Sequence, residues 1–309
     1  MTRTLVSRTL VWLIALALLV LAFQVIVPMR VSAQTHAVAR EGRLAFGGME
    51  RTYRLYRPAA LARDAMAPVV LVLHGGYGNG TGAERAYHWD EAADAHGFVV
   101  LYPDGFLRAW NAGACCGQPV KRNIDDVAFL TALVEQTMRD ERIDPHRVYV
   151  TGISNGAMMA YRLACESPFA FAAIGPVAGT FSKTCEHPKP ISVLAIHGSD
   201  DKNVPLAGGS GSGVDRSPRP SLADVLAQWR NVDRCSAPRV REAPPVRYEI
   251  ADCPSGRTVE SIVIAGAGHQ WPGSEKPPPA AVRLLGLEQP SRALDATATL
   301  WEFFAAHRT

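Results

Sequence analysis

The chain has 309 residues, of which 48% are hydrophobic and 20% are charged, and its formal net charge is +3. This is an ordinary globular composition, with ample length for one large core. The weak charge, without a long run of Lys or Arg, argues against nucleic acid or an acidic polymer as a partner.

The N-terminus has the layout of a secretory signal peptide. Arg3 and Arg8 give a positive start, residues 10–27 are almost wholly apolar, and Val-Ser-Ala at 31–33 offers small residues for cleavage. We predict a signal peptide over residues 1–33 and an extracellular or periplasmic location. The apolar run also approaches the length of a membrane span, so an uncleaved anchor is the alternative, and only then would a membrane be a partner.

Short apolar runs alternate with helical patterns through the rest of the chain. A hairpin with glycines at its turn is predicted first, over residues 43–56. The apolar runs, typical of strands buried on both faces, are 68–74, 98–102, 147–151, 171–174, 191–196 and 259–264. The helical patterns are 84–96, 125–142, 155–166, 222–232 and 293–307. This order predicts an α/β fold, with a mostly parallel central sheet and helices on both faces, in a single domain over residues 34–309.

The pentapeptide Gly152-Ile153-Ser154-Asn155-Gly156 follows a predicted strand and begins a predicted helix. A sharp strand-to-helix turn would present the Ser154 hydroxyl at the edge of the sheet, and the glycines would relieve crowding. The backbone N–H of Asn155 would then point to where an oxyanion forms, at the positive end of the helix. In this context the motif predicts the nucleophile elbow of the α/β-hydrolase fold, with Ser154 as the nucleophile.

The first long apolar strand ends in His74-Gly75-Gly76-Tyr77-Gly78. Hydrolases of this fold place their second oxyanion donor at this position. We predict that the donor is the backbone N–H of Gly76, with Tyr77 as the alternative. His74 is expected to be structural, because the donor is a backbone group.

The acid of a triad on this fold follows the serine and precedes the histidine. Asp200 and Asp201 both come at the end of a predicted strand, where α/β sheets place their sites. Asp201 is preferred and Asp200 stays open. His269 follows a strand and a flexible turn, whereas His307 lies in a predicted frayed tail, so His269 is the predicted general base.

Substrate contacts and disulfides are predicted on weaker sequence signals than the triad. Trp110 and Trp271 could stack on an aromatic or sugar ring of a substrate, although packing in the core or a loop is expected as readily, and Tyr77 could contact the substrate at the oxyanion corner. The six cysteines suit an exported protein, because disulfides form outside the cytoplasm. We predict a Cys235–Cys253 disulfide and leave the other four open. Neither a metal nor a cofactor is predicted.

Together these motifs resemble the esterase family that includes polyhydroxybutyrate depolymerases, feruloyl esterases and acetyl xylan esterases, often grouped as carbohydrate esterase family 1. The resemblance runs from Gly42 to the C-terminus, and it implies Asp201 as the triad acid and His269 as the base. It depends on residues 73–76, 102–105, 125–127, 147–156, 197–201 and 268–273. Tyr77 stands where many relatives carry another glycine. No polymer-binding module is recognisable after the catalytic part, so soluble esters are expected rather than crystalline polyester.

The expected function is that of a secreted serine esterase. It would hydrolyse feruloyl or acetyl esters of polysaccharides, or hydroxyalkanoate oligomers, through an acyl-enzyme. A serine peptidase of the same fold is one alternative. A non-catalytic surface binding protein is another, although the presence of all three triad residues argues against it. The partner is therefore a small or oligomeric ester, and the oligomeric state is left open.

Overall fold

The structure is a computed structural model that describes residues 37–309, apart from 182, 184, 187, 213–215, 278, 280, 281 and 283–287. The predicted signal peptide lies outside the described residues. Within the described part of the chain, no helix has both the length and the apolar character to cross a bilayer.

One sheet of ten strands runs through the described chain. The strands are β1 (Arg40–Phe46), β2 (Met49–Tyr56), β3 (Ala67–Leu73), β4 (Val99–Pro103), β5 (Ile143–Ile153), β6 (Ala173–Val177), β7 (Ser192–Gly198), β8 (Arg239–Ala243), β9 (Val246–Asp252) and β10 (Thr258–Ile264). Their order across the sheet is β1-β2-β4-β3-β5-β6-β7-β10-β9-β8. The strands from β4 to β10 in this order are parallel, and antiparallel strands flank them at both edges.

Seven helices lie between or after the strands in the described chain. They are α1 (Gly80–Tyr87), α2 (Trp89–His96), α3 (Gly117–Lys121), α4 (Asp126–Glu141), α5 (Asn155–Glu166), α6 (Leu222–Asp233) and α7 (Ala296–Ala305). The predicted helix 84–96 is in fact α1 and α2, because His88 has a left-handed φ of 58° between them. Asp125, Ser221 and Asp295 each cap the helix that follows, by accepting a backbone N–H from its first turn.

The central strands are buried on both faces, as their continuous apolar runs predict. In β3, Val69, Leu71 and Leu73 pack in one hydrophobic cluster with residues of α4, α5 and α6. Val70 and Val72 point the other way, into a second cluster with residues of α2 and α7. The predicted arrangement of a mostly parallel sheet with helices on both faces is therefore confirmed.

The end of the chain differs from the prediction in two places. The hairpin of β8 and β9 has no strong sequence signal, because every side chain of β8 is exposed and the strand lacks an apolar face. The prediction of a frayed tail at His307 is wrong. His307 is buried, its backbone C=O accepts the Tyr149 hydroxyl at 2.8 Å, and its Nδ1 bonds to the Phe303 carbonyl.

Three disulfides use all six cysteines. Cys235 and Cys253, the predicted pair, join the end of α6 to the end of β9 with a Cα–Cα distance of 3.9 Å. The two pairs that the sequence left open are Cys165–Cys185, which links α5 to the segment before β7, and the adjacent residues Cys115 and Cys116.

Candidate active site

Ser154 lies between β5 and α5 in a strained backbone conformation. Its φ of 57° and ψ of −119° fall in a region that non-glycine residues rarely adopt. A Cβ at Gly152 would lie 2.6 Å from the carbonyl oxygen of Leu73, and one at Gly156 would overlap the same oxygen. These two glycines therefore allow β3 to approach the turn closely, as a nucleophile elbow requires.

Asn155 is the first residue of α5, so its backbone N–H has no partner within the helix. Its buried side chain is bonded on both sides to one residue of the loop after β4. The amide oxygen accepts the Trp110 N–H at 2.7 Å, and the amide nitrogen donates to the Trp110 carbonyl at 3.0 Å. This pair of hydrogen bonds holds the loop against the start of α5.

The glycine-rich segment after β3 lies beside Ser154. A Cβ placed on Gly75 would be 3.6 Å from the Cβ of Ser154, so the Gly75–Gly76 peptide borders the elbow. Tyr77 was the alternative oxyanion donor, but its backbone N–H donates to the Arg108 carbonyl at 2.8 Å. The prediction of Tyr77 as the alternative donor is therefore wrong, because its N–H already donates to another backbone group. The Gly76 N–H remains the candidate for the second oxyanion donor.

Asp201 and His269 meet after β7 and β10. The Nδ1 of His269 lies 2.8 Å from Oδ2 of Asp201, and the other carboxylate oxygen accepts the N–H groups of Asn203 at 2.9 Å and Val204 at 2.8 Å. The Asp201 side chain is fully buried. Asp200 is exposed and accepts the Ser199 hydroxyl instead, so the geometry distinguishes the two aspartates.

His197 also contacts this pair, although no role was predicted for it from the sequence. Its Nε2 lies 2.8 Å from the Val204 carbonyl and 3.5 Å from Oδ2 of Asp201. Burial lowers the pKa of His197, which favours the neutral ring with its proton on Nε2, where it donates to that carbonyl. The available signal was that His197 is the first residue of segment 197–201, which carries part of the resemblance to the esterase family.

The predicted residues from four segments all follow parallel strands. These strands are β3, β5, β7 and β10, and the carboxyl ends of parallel strands lie on the same edge of a sheet. We call this edge the carboxyl rim. It carries an elbow serine, two backbone N–H groups at Gly76 and Asn155, and a bonded Asp201–His269 pair.

The two predicted tryptophan contacts are not available to a substrate. Trp110 is fully buried, donates its indole N–H to the His74 carbonyl at 2.9 Å and packs near the His74 ring. Trp271 is also buried, stacks on Tyr87 with ring centroids 4.5 Å apart and donates to the Thr297 hydroxyl. Of the two alternatives that the sequence left open, packing in the interior is therefore the one that the structure bears out for both rings. Tyr77, by contrast, is 64% exposed.

The sequence profile of the family described as "Esterase PHB depolymerase" matches residues 51–230. The chain belongs to this family. NocK of Nocardia uniformis subsp. tsuyamanensis, which is named as an esterase, is 34% identical over 269 residues, covering 79% of this chain and 77% of NocK. Poly(3-hydroxyalkanoate) depolymerase C of Paucimonas lemoignei is 29% identical over 191 residues, which are 58% of this chain and 44% of that protein.

A solved structure of acetyl xylan esterase from Aspergillus awamori is also similar to this esterase, with a TM-score of 0.56 and 19% identity over 74% of this chain and 94% of the other. This likeness confirms the predicted α/β-hydrolase fold. Membership of the family confirms the predicted resemblance, and the protein is a carboxylic ester hydrolase.

Proposed function

We propose that this protein is a secreted serine esterase in which Ser154 attacks the ester carbonyl, His269 accepts the serine proton and Asp201 orients the histidine. The single observation that carries the proposal is the buried carboxylate of Asp201 at 2.8 Å from Nδ1 of His269, on the rim that also holds the elbow serine. A carboxylate on Nδ1 leaves Nε2 as the nitrogen that can take a proton from a hydroxyl.

The reaction divides into two steps that use the same groups. The alkoxide oxygen of Ser154 bonds to the ester carbon, and the oxyanion accepts hydrogen bonds from the N–H groups of Gly76 and Asn155. Protonated His269 then gives its proton to the leaving alcohol, which leaves an acyl-enzyme. Water, activated by neutral His269, hydrolyses this intermediate and frees the serine.

Hydrolysis of p-nitrophenyl acetate by the purified protein tests this assignment. We expect Ser154→Ala to lose about 10⁶-fold in kcat, as the loss of a serine nucleophile does in proteases. Ser221→Ala is the matched control, because its hydroxyl caps α6 and accepts the Asp224 N–H. A fluorophosphonate should label the wild-type protein and Ser221→Ala, but not Ser154→Ala. Equal rates in the two serine variants would rule out the triad.

The substrate class is proposed as feruloyl or acetyl esters of polysaccharides, or hydroxyalkanoate oligomers. The relatives support ester substrates, and their names include a hydroxyalkanoate depolymerase and an acetyl xylan esterase. Exposed Tyr77, next to Gly76, is the proposed contact for the acyl or alcohol part of the ester. Rates on feruloyl, acetyl and hydroxybutyrate esters, with a matched anilide beside them, would rank the three. Faster cleavage of the anilide would favour a peptidase instead.

Export is proposed from the leader over residues 1–33 and is supported by the three disulfides. Expression of the full chain in a bacterial host, followed by N-terminal sequencing, tests it. We expect a soluble product in the periplasm or medium that begins at Gln34. A membrane-bound product that still begins at Met1 would identify an uncleaved anchor.

A further inference from the structure

The ring of His74 is buried between the segment after β3 and the loop after β4, with both nitrogens bonded to backbone groups. Nε2 accepts the Gly105 N–H at 2.9 Å, so this nitrogen carries a lone pair. Nδ1 lies 2.7 Å from the Gly75 carbonyl oxygen, which can only accept, so Nδ1 carries the proton. The two contacts together fix one tautomer of the neutral ring.

Neutrality of this ring follows from its surroundings. Burial lowers the pKa of His74. A second proton on Nε2 would also face the Gly105 N–H, so two donors would point at each other. The side chain therefore acts as a fixed hydrogen-bonding unit, with one donor and one acceptor, and not as a proton carrier.

The carbonyl that receives the His74 proton belongs to the same peptide as the Gly76 N–H. The Gly75 oxygen accepts a second hydrogen bond from the Gly78 N–H at 2.9 Å. A peptide unit is planar, and this one is trans, so the Gly76 N–H points in the direction opposite to the Gly75 carbonyl. The two bonds to the carbonyl therefore set the direction of the N–H.

We propose that His74 is a positioning residue, whose Nδ1–H holds the Gly75–Gly76 peptide so that the Gly76 N–H faces the oxyanion beside Ser154. This inference rests on the proposed function. A preorganised donor stabilises an oxyanion because it needs no reorientation during the reaction. The hydrogen bond from Gly105 connects the ring to the loop after β4. The Asn155 side chain holds the same loop through its two bonds to Trp110.

Two substitutions separate the two nitrogens of the ring. In His74→Asn the amide nitrogen can occupy the position of Nδ1 and keep the bond to Gly75, but nothing replaces Nε2. In His74→Gln the longer side chain can reach the Gly105 N–H with its oxygen, but the Gly75 carbonyl loses its donor. Both variants give up one of the two hydrogen bonds, so a merely structural role predicts equal effects on activity.

The expected result is a difference in kcat on p-nitrophenyl acetate. Complete loss of an oxyanion donor costs about 10²–10³ in kcat, so misdirecting one should cost about 10- to 100-fold in His74→Gln, with KM little changed. His74→Asn should recover most of that loss. The inhibition constant of phenylboronic acid, whose serine adduct is tetrahedral, should rise in His74→Gln by the factor that kcat falls. Equal kcat values in the two variants, with both folded, would overturn the proposal.

A measurement on the wild-type protein covers the case in which a variant does not fold. Nitrogen-15 NMR of the histidine rings distinguishes a protonated from an unprotonated ring nitrogen, and His74 should show the Nδ1–H form. Finding the proton on Nε2 would overturn the proposal. The Ser154→Ala assay keeps this failure apart from that of the esterase function, because serine-dependent hydrolysis would persist if only the role of His74 were wrong.

Discussion

The carboxyl rim of the sheet and the β8–β9 hairpin at its edge are held together by opposite means. At the rim, Arg51 and Asp126 form an ion pair at 2.8 Å, with side chains that are 4% and 0% exposed, and Asp126 also accepts the Asn111 N–H. In the hairpin, Arg239 and Asp252 form a pair with 64% and 55% exposure. A buried pair dictates the position of its neighbours, whereas an exposed pair is solvated and replaceable.

This contrast suggests that activity and stability can be changed separately. The rim contains the residues of the proposed triad, and the loops around it are fixed by buried polar contacts. The hairpin contributes an exposed strand and is fastened by the Cys235–Cys253 disulfide. Substitutions at the rim should therefore lower kcat, or lower the free energy of unfolding by disturbing the core. Substitutions in the hairpin should change only the free energy of unfolding.

After Ser154→Ala, the largest effect is expected at the acid of the proposed triad. Asp201→Asn should lower kcat by about 10⁴-fold, because the amide no longer fixes the tautomer of His269 or stabilises its protonated form. Asp200→Asn is the control, since Asp200 is exposed and its carboxylate accepts the Ser199 hydroxyl instead of meeting His269. Steady-state kinetics on p-nitrophenyl acetate measure both. A greater loss in Asp200→Asn would reverse the assignment.

The second effect compares the two ion pairs directly. Arg51→Ala should lower the free energy of unfolding by about 3–5 kcal/mol, because the Asp126 carboxylate would stay buried without its partner. Arg239→Ala should lower it far less, because solvent screens the exposed pair. Urea unfolding followed by circular dichroism gives both values. Equal losses in the two variants would mean that burial does not distinguish the rim from the hairpin.

The Asp201 assignment also shows what a sequence can and cannot predict about such a site. The order of strands and helices predicts that the elbow and both aspartates lie at the carboxyl ends of strands, since this follows from periodicity and turn residues. The choice between adjacent aspartates depends on which side chain turns inward to meet His269. That direction is set by the turn in which Asp201 accepts two backbone N–H groups, and in the sequence only the resemblance of segment 197–201 to the esterase family indicated it.

The sequence left the two tryptophans open for the same reason. An indole ring suits a substrate pocket and a core equally well, and the outcome depends on which face of a loop is covered. Trp110 is covered because its backbone is bonded to Asn155 and its indole N–H to His74, which are tertiary contacts far apart in the chain. The proposed role of His74 is hidden from the sequence as well, because the hydrogen bonds of its two ring nitrogens become visible only when the loop after β4 is in place.

A third prediction addresses the fastening of the hairpin. Replacing Cys235 and Cys253 together by serine should lower the free energy of unfolding by about 3 kcal/mol, as expected for a crosslink across a short loop. The value of kcat should not change, because the bond joins α6 to the end of β9 and touches no residue of the proposed triad. Thermal or urea unfolding and ester hydrolysis measure the two quantities. A fall in kcat in the folded double variant would show that the hairpin and the rim are coupled.

The last comparison concerns how buried and exposed carboxylates respond to pH. Burial, with help from neighbouring carboxylates, raises the pKa of Asp90 in α2 to about 7, and its carboxylate accepts the Tyr102 hydroxyl at 2.7 Å. The folded protein thus holds a proton there that the unfolded chain releases near the ordinary aspartate pKa, so this group destabilises the fold as pH rises towards 7. Asn cannot titrate, so the stability of Asp90→Asn relative to wild type should increase between pH 4 and pH 7 and then level off.

Asp252 in the hairpin should show the opposite sign. Its ion pair with Arg239 lowers the pKa of Asp252, so the contribution of this carboxylate is present above the ordinary aspartate pKa and is lost as pH falls. Asp252→Asn should therefore lose stability relative to wild type as pH rises, by a smaller amount because solvent screens the exposed pair. Urea unfolding of the three proteins from pH 2 to pH 8 measures both trends, that of Asp252 at the acid end of this range and that of Asp90 between pH 4 and pH 7. Two trends of the same sign would contradict the idea that the body of the protein and its hairpin place their charges by different rules.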